Sequence, residues 1–303
     1  MIKNKILLGA NIFNYATTYN ETKKLLKFCF ENNIRSVDTA DVYSDGISEK
    51  FIGKIINSNR HQWFVATKCG VKSKQKTDYI NSKTSIYKKI DQSLIRLKTD
   101  YIDLYQLHHF DSKTEISETF DALDNLKKDG KILNYGISNF NLNQIKKINK
   151  FQNVFSHQIN YNILNSESLE KFKKLNNNPI YIAYNVLCRG LLNSELALNK
   201  NFKTFRSSKS KSVKRDVSNK ILHKYLNILH VFATKNNLNV QQLAYKYVLD
   251  NKNIKYLILG VRNISQIQEF IDVKCTIEWE PLINKLKKMK KNYKVNFGPS
   301  NFL

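Results

Sequence analysis

The sequence contains no apolar run of the roughly 20 residues that a helix needs to cross a bilayer. Residues 1–9 also hold too short an apolar segment for a secretory signal. The 4 cysteines are far apart and show no metal-ligand spacing, so they fit reduced thiols. These absences predict a cytoplasmic protein without a metal centre.

Arginine is scarce for so basic a chain. Only 7 of the 50 basic residues are arginine, and the net charge is +25. Such a charge can indicate a nucleic-acid or anionic-surface partner. The lysines are spread along the chain, however, and are denser only in 200–220, with eight basic residues, and in 285–294, with six. This distribution favours a solvated surface over an anion-binding surface, so we expect no nucleic-acid partner.

No G-x-G-x-x-G motif occurs among the 9 glycines. A doubly wound sheet that binds a dinucleotide usually carries this motif after its first strand, which makes that fold the weaker alternative. Strand-like runs instead alternate with helical patterns, and the runs cover residues 6–9, 35–39, 63–68, 101–108, 132–138, 154–158, 180–184 and 256–260. The helical patterns include 21–32, 82–97, 114–128 and 238–249. Eight such strands predict an α/β fold, a closed (β/α)8 TIM barrel.

The length of 303 residues suits one domain of this kind, and no internal repeat or linker interrupts it. Residues 191–219 include a serine- and lysine-rich stretch that predicts a long mobile loop. Residues 281–303 predict a C-terminal tail formed by a lysine-rich helix and coil. We therefore expect a single barrel domain spanning 1–303.

Polar side chains end five consecutive strand-like runs. Side chains alternate across a strand, so residues two apart share a face. In each of these five runs, one face ends in a polar residue at the carboxyl end of the run. These residues are Asp38, Lys68, His108, Ser138 and Gln158. In a barrel the carboxyl ends of the strands carry the chemistry, so we expect these side chains to converge there, with Tyr43 in the loop above.

Each of these residues has an ordinary explanation when taken alone. Asp38 could be a surface acid, Tyr43 a packing residue, and Lys68 is one of 43 lysines. A lysine that ends an apolar strand is nevertheless costly to bury without a partner. The joint pattern predicts that Asp38 holds Lys68 and that Lys68 acidifies the Tyr43 phenol.

Several motifs together resemble the aldo-keto reductase superfamily, in order along about residues 5–275. They are Val37-Asp38-Thr39-Ala40-Asp41-Val42-Tyr43, Asp45-Gly46-Ile47-Ser48-Glu49 with Gly53, Phe64-Val65-Ala66-Thr67-Lys68, Asp100-Tyr101-Ile102-Asp103-Leu104-Tyr105-Gln106-Leu107-His108, Tyr135-Gly136-Ile137-Ser138-Asn139-Phe140, His157-Gln158-Ile159-Asn160-Tyr161-Asn162, Ile182-Ala183-Tyr184, Arg189-Gly190-Leu191-Leu192 and Gly260-Val261-Arg262-Asn263 with Gln266. The chain starts close to its first barrel strand, so the family's N-terminal floor hairpin is expected to be truncated or absent.

The resemblance implies an oxidoreductase that reduces an aldehyde or ketone, such as a sugar or keto-sugar, with NADPH preferred over NADH. It implies Tyr43 as the general acid, Lys68 and Asp38 as the residues that tune it, and His108 as the residue that orients the carbonyl. A free phenol has a pKa of about 10, which a neighbouring ammonium group would lower. The alternative function is a cofactor-binding regulatory subunit of the same fold with little turnover.

The same resemblance implies a set of cofactor contacts. They are Ser138, Asn139 and Gln158 for the carboxamide, Tyr184 for stacking on the nicotinamide, Leu187, Arg189, Gly190 and Leu191 for the pyrophosphate, and Gly260, Arg262 and Gln266 for the adenosine phosphates. Arg262 would pair with a 2′-phosphate, which is the reason to expect NADPH. A core tyrosine is the alternative for Tyr184, and a surface arginine for Arg262.

Three positions depart from the family's pattern. Asn185-Val186 stands where a proline usually follows the stacking tyrosine by two residues. Phe270 occupies the position of an asparagine that often contacts adenine, and Ser44 replaces a frequent glycine. No catalytic group is lost by these changes.

Overall fold

The computed structural model describes residues 2–71, 79–148, 154–172, 179–199, 219–273 and 275–292. Eight parallel strands form a closed barrel in which each strand pairs with the next along the chain and the last pairs with the first. They are β1 (Ile6–Gly9), β2 (Ser36–Asp38), β3 (Phe64–Cys69), β4 (Ile102–Leu107), β5 (Ile132–Ser138), β6 (Ser156–Asn160), β7 (Ile180–Tyr184) and β8 (Ile254–Leu259). The predicted (β/α)8 barrel is confirmed.

The helices described lie between and after these strands. They are α1 (Tyr19–Glu31), α2 (Ile47–Ile56), α3 (Lys83–Leu97), α4 (Ile116–Lys128), α5 (Leu142–Ile148), α6 (Glu167–Phe172), α7 (Ser194–Leu198), α8 (Lys220–Lys235), α9 (Val240–Leu249), α10 (Ile264–Ile271) and α11 (Glu280–Asn292). Local sequence explains several starts, since Thr18 with Glu21 and Asn239 with Gln242 form capping boxes at α1 and α9. None of the helices described is both long enough and apolar enough to span a bilayer.

Alternation along the strands separates the barrel interior from the layer beneath the helices. Side chains that fill the interior are Leu7, Ala66, Leu104 and Ile182, with Phe64, Tyr256 and Ile258 packed against them. A much larger cluster lies between the strands and the helices. Because Ala66 and Leu104 face inward, the residues two positions later, Lys68 and Gln106, face inward as well. Register places these two residues side by side on β3 and β4.

Helices α2 and α3 pack unusually close together at Gly53. A Cβ atom at this position would come within 2.5 Å of the Arg96 and Leu97 carbonyl oxygens. Glycine is therefore required here by the approach of two helices, not by backbone conformation. Gly53 thus allows the backbones of α2 and α3 to come into contact.

A second apolar cluster joins α7, α8, α9 and α11 beside the barrel. In the predicted mobile loop, residues 191–199 contain α7, and Leu191, Leu192 and Leu196 are fully buried. The remainder of that loop, 200–218, lies outside the described residues. The predicted lysine-rich tail helix corresponds to α11, and residues 293–303 again lie outside. At the other end of the chain, a 3₁₀ turn, Ile2–Lys5, leads directly into β1.

Candidate active site

Asp38 and Lys68 form a buried ion pair at the carboxyl ends of β2 and β3. Lys68 is fully buried and Asp38 is 2% exposed. The Lys68 ammonium donates to an Asp38 carboxylate oxygen and, at 2.9 Å, to the Thr39 carbonyl oxygen. Burial acts to lower the pKa of Lys68, but the charge of Asp38, supported by Tyr43, outweighs it and raises that pKa above its usual value. The lysine therefore carries its charge inside the barrel.

Tyr43 lies beside this ammonium group, on a 3₁₀ turn that follows β2. Its side chain is half-buried and hydrogen-bonds to Lys68, whose Nζ lies 5.2 Å from the centre of the ring. The next residue, Ser44, has a positive φ of 49° and donates from its hydroxyl to the Phe13 carbonyl oxygen at 2.8 Å. The phenol is thus held next to a charged donor at the mouth of the barrel.

His108 directly follows β4 and faces the same mouth. Its ring lies edge-on to the Tyr43 ring, with centroids 5.9 Å apart, and it is 5% exposed. Burial lowers the pKa of His108 well below its usual value, and the nearby Lys68, His109 and Lys89 lower it further. The imidazole is neutral, so it offers one N–H donor.

Two glutamines extend the polar floor around Asp38. Gln158 on β6 donates to Asp38 Oδ2 at 2.9 Å, and Gln106 on β4 donates to the same oxygen at 3.3 Å. The Ser138 hydroxyl donates to the Gln158 side-chain oxygen at 3.2 Å. Gln106 is two residues before His108, so strand parity places it on the same inward face, and the register sets it beside Lys68.

Asn139 and Tyr184 connect β5 to β7 across the mouth. Asn139 has a φ of +61° and donates to the His108 carbonyl oxygen at 3.0 Å. The Tyr184 hydroxyl donates to Asn139 Oδ1 at 2.5 Å, and burial raises the pKa of Tyr184. Both predicted cofactor contacts therefore lie within the same hydrogen-bonded group as His108.

The segment after β7 turns sharply without the proline that the family usually has. Asn185 has a φ of +61°, its side chain donates to Asn160 Oδ1 at 3.0 Å, and its carbonyl accepts from Asn162 at 3.1 Å. These amides hold the turn in place of a proline ring. The segment continues through Leu187, Arg189 and Gly190 to Leu191. The Leu191 side chain is buried in the second apolar cluster, so only its backbone could contact a ligand.

The segment after β8 is more open. Gly260 is exposed, and a Cβ there would meet only Asn11 Oδ1, at 3.7 Å. Arg262 is exposed, and its backbone N–H donates to Gln266 Oε1 at 2.8 Å, which ties the segment to the start of α10. Phe270 is 3% exposed and packs on Tyr245 with centroids 5.0 Å apart, so it faces the core.

The predicted catalytic residues thus come together, while Gly260, Arg262 and Gln266 form a separate group at the same end of the barrel. Within the ranges described above, no three histidine, cysteine or acidic side chains are grouped so that they could hold a metal ion. The site consists of an acid, a phenol, an ammonium and a neutral imidazole, with amides and a hydroxyl beside them.

Comparison with known proteins agrees with this arrangement. The model of the Aldo/keto reductase family matches residues 5–278. The chain is 29% identical over 267 residues to the uncharacterized oxidoreductase YqkF of Bacillus subtilis, covering 87% of this chain and 85% of that protein. It also superposes on the aldo-keto reductase AKR11C1 of Bacillus halodurans, solved in its holo form, with a TM-score of 0.76, 26% identity and coverage of 94% and 91% of the two chains.

A second solved structure, the glycerol dehydrogenase AKR11B4 of Gluconobacter oxydans, has the same fold. The TM-score is 0.81, the sequences are 24% identical, and the match covers 99% of this chain and 95% of that one. The family match covers all eight strands of the barrel, including every strand that contributes to the site. The chain therefore belongs to the aldo/keto reductase family and is an NAD(P)H-dependent oxidoreductase that acts on carbonyl compounds.

Proposed function

We propose that this protein reduces an aldehyde or ketone, such as a sugar or keto-sugar, to the alcohol with NADPH. The observation that carries the proposal is the buried, charged Lys68, paired with Asp38 and hydrogen-bonded to Tyr43. A buried ammonium next to a phenol favours transfer of the phenolic proton, because it stabilises the phenolate that remains.

Tyr43 is the proposed general acid. It gives its hydroxyl proton to the carbonyl oxygen of the substrate as negative charge develops there. Asp38 keeps Lys68 charged and oriented, because without this carboxylate the Lys68 ammonium would be a buried charge without a partner. His108, neutral because burial lowers its pKa, donates an N–H to the same oxygen and orients the substrate.

The chemistry of the donor set at the mouth fits a nicotinamide cofactor. Ser138, Asn139 and Gln158 supply the hydroxyl and amide groups that a carboxamide needs on both its donor and acceptor sides. Tyr184 offers an aromatic face, and the segment 187–191 with its positive-φ residues Cys188, Arg189 and Gly190 brings backbone groups to the rim. When bound, the reduced nicotinamide supplies the hydride.

The segment after β8 supports the NADPH preference. Gly260 leaves open space at the rim, and the first amides of α10 lie nearby, an arrangement that suits phosphate groups. Arg262 is an exposed residue of that segment, and its guanidinium group would pair with a 2′-phosphate. NADH lacks this phosphate and is the alternative cofactor.

The test is turnover measured by the absorbance of the reduced cofactor. The purified protein is mixed with NADPH or NADH and with 4-nitrobenzaldehyde, aldoses or keto-sugars. We expect oxidation of NADPH with at least one carbonyl class, and slower oxidation of NADH. Tight NADPH binding without turnover across the whole set would instead identify the regulatory subunit.

A further inference from the structure

The turn that carries Tyr43 lies between two buried acids. The side chain of Asp41 is 8% exposed and that of Glu49 is fully buried. Asp41 Oδ2 accepts from Lys89 Nζ at 2.9 Å, and Glu49 Oε2 accepts from Arg96 Nε at 2.6 Å. Lys89 and Arg96 are seven residues apart on α3, or about two helical turns, so one face of one helix holds both ends of the turn.

The turn between these acids has an unfavourable backbone. Ser44, Asp45 and Gly46 have positive φ angles of 49°, 56° and 81° in succession. For residues other than glycine, here Ser44 and Asp45, this conformation costs free energy and persists only where the surroundings hold it in place. Gly46 also lies directly on Arg96, because a Cβ atom there would approach the arginine Cδ to 2.7 Å. Arg96 therefore supports the turn as well as pairing with Glu49.

Both ion pairs are also bound to β3, the strand of Lys68, or to the residues that directly follow it. Lys89 donates to the Val71 carbonyl oxygen at 2.5 Å, and the Asp41 backbone N–H donates to the Lys68 carbonyl oxygen at 3.1 Å. The Thr67 hydroxyl donates to Glu49 Oε1 at 2.6 Å. The pairs thus connect the turn of Tyr43 to the strand that supplies its ammonium partner.

Stability alone is a poor explanation for these pairs. Burial raises the pKa of Asp41 and of Glu49 even though Lys89 and Arg96 oppose that shift. Removing two charges from water costs free energy that their attraction often only balances. The two ion pairs lie on both sides of a strained turn, however, and this placement fits a role in fixing the position of that turn.

On the basis of the proposed role of Tyr43, we propose that Lys89 and Arg96 are positioning residues, and that α3 uses them to hold the Tyr43 hydroxyl against Lys68. Neither cation needs to contact substrate or cofactor for this role. Loss of one of these ion pairs would let the strained turn relax and would move the Tyr43 phenol away from the Lys68 ammonium group. Groups on β5 to β8 that are proposed to hold the cofactor would stay in place.

The first experiment compares Lys89→Met with Lys88→Met, its exposed neighbour on α3. We expect Lys89→Met to lower kcat about 100-fold, the effect of a displacement of about 1 Å at a reacting group, with the Kd for NADPH unchanged. Lys88→Met should leave both constants within about twofold. Lys89→Arg should keep most of the kcat of the parent protein, because arginine retains the positive charge.

The second experiment separates positioning from general damage. In a Tyr43→Phe background, Lys89→Met should cause little further loss, because the hydroxyl that it positions is already absent. An equal loss of kcat in both backgrounds would overturn the inference. If Lys89→Met does not fold, Asp41→Asn combined with Lys89→Met removes both charges and is tested in the same way.

The third measurement does not depend on turnover. Hydrogen exchange of the amides in 41–49 should be faster in Lys89→Met than in Lys88→Met, while the strands keep their protection. Equal exchange of 41–49 in the two variants would contradict the inference. Absence of carbonyl turnover in the parent protein would refute the proposed function, and the exchange result would still decide whether α3 holds the turn.

Discussion

A fully buried lysine keeps its charge at low cost only when an acid faces it, and Lys68 meets that condition through Asp38. This pairing could be inferred from sequence because strand parity places both residues inward at neighbouring strand ends. The same parity places Gln106 inward, two residues before His108. The hydrogen bonds that Asn185 makes with Asn160 and Asn162 could not be inferred, because they join segments 25 and 23 residues apart in the chain.

Tyr43→Phe removes only the proposed proton donor. We expect kcat to fall about 10²–10⁴-fold, the usual contribution of general acid catalysis, with NADPH binding unchanged. Tyr79→Phe is the matched control, since it also removes a hydroxyl and keeps a ring that stacks on His109. Steady-state kinetics and a cofactor titration measure the two effects. Turnover within a few-fold of the parent would show that Tyr43 is not the acid.

Arg262→Ala tests the cofactor preference. A charge-assisted hydrogen bond contributes about 1.5–3 kcal/mol, so the KM for NADPH should rise about tenfold or more. The KM for NADH should change little, because that cofactor has no 2′-phosphate. Lys288→Ala, an exposed cation on α11, controls for the loss of a surface charge. Equal changes for the two cofactors would remove Arg262 from the phosphate site.

Strands and helices were predictable where periodicity is clear, and β1, β5 and β7 begin and end as predicted. The predictions for β6 and β8 were displaced by about two residues. Pairing decides these ends: Asn160 continues β6 because it pairs with Tyr184, and Ile254 begins β8 because it pairs with Tyr181. A polar residue such as Asn160 gives no strand signal of its own.

Gly53→Ala tests the close packing of α2 on α3. An added Cβ would approach backbone oxygens to 2.5 Å, so the two helices must move apart. We expect the free energy of unfolding to fall by about 1–3 kcal/mol, despite the better helix propensity of alanine. Urea titration measures this change. Lys50→Ala, exposed on α2, should shift it by no more than about 0.5 kcal/mol, and a similar shift for Gly53→Ala would contradict the packing argument.

At the scale of the whole molecule, closure of the barrel buries several histidines in the neutral form. Burial lowers the pKa of His157 to about 3 and that of His109 to about 4. In the unfolded chain these groups bind protons near their usual pKa of about 6.5. Below that pH the unfolded state binds more protons than the folded state, so stability declines as the pH falls.

The prediction is a free energy of unfolding that decreases as the pH is lowered from about 6.5 to 4.5. Each buried histidine contributes up to about 1.4 kcal/mol per pH unit. His157→Phe keeps a ring against Phe172 and Tyr181. It should reduce the slope by up to about 1.4 kcal/mol per pH unit, which corresponds to one proton. Urea unfolding at several pH values measures the slope, with the exposed His61→Gln as control. An unchanged slope in His157→Phe would show that His157 is not held neutral.

The sequence by itself determined the alternation of strands and helices, the inward face of the five strands β2 to β6 and the polar residue at the end of each of those faces. These properties depend on the spacing of residues along a few turns or pleats, which is local. Only the tertiary structure decided that Lys89 and Arg96 pair with the acids on the two sides of the Tyr43 turn, that amides lie where a proline would follow β7, and that Phe270 faces the core. Those contacts join distant segments, and they exist only because eight strands close into one barrel and bring the helices around it together.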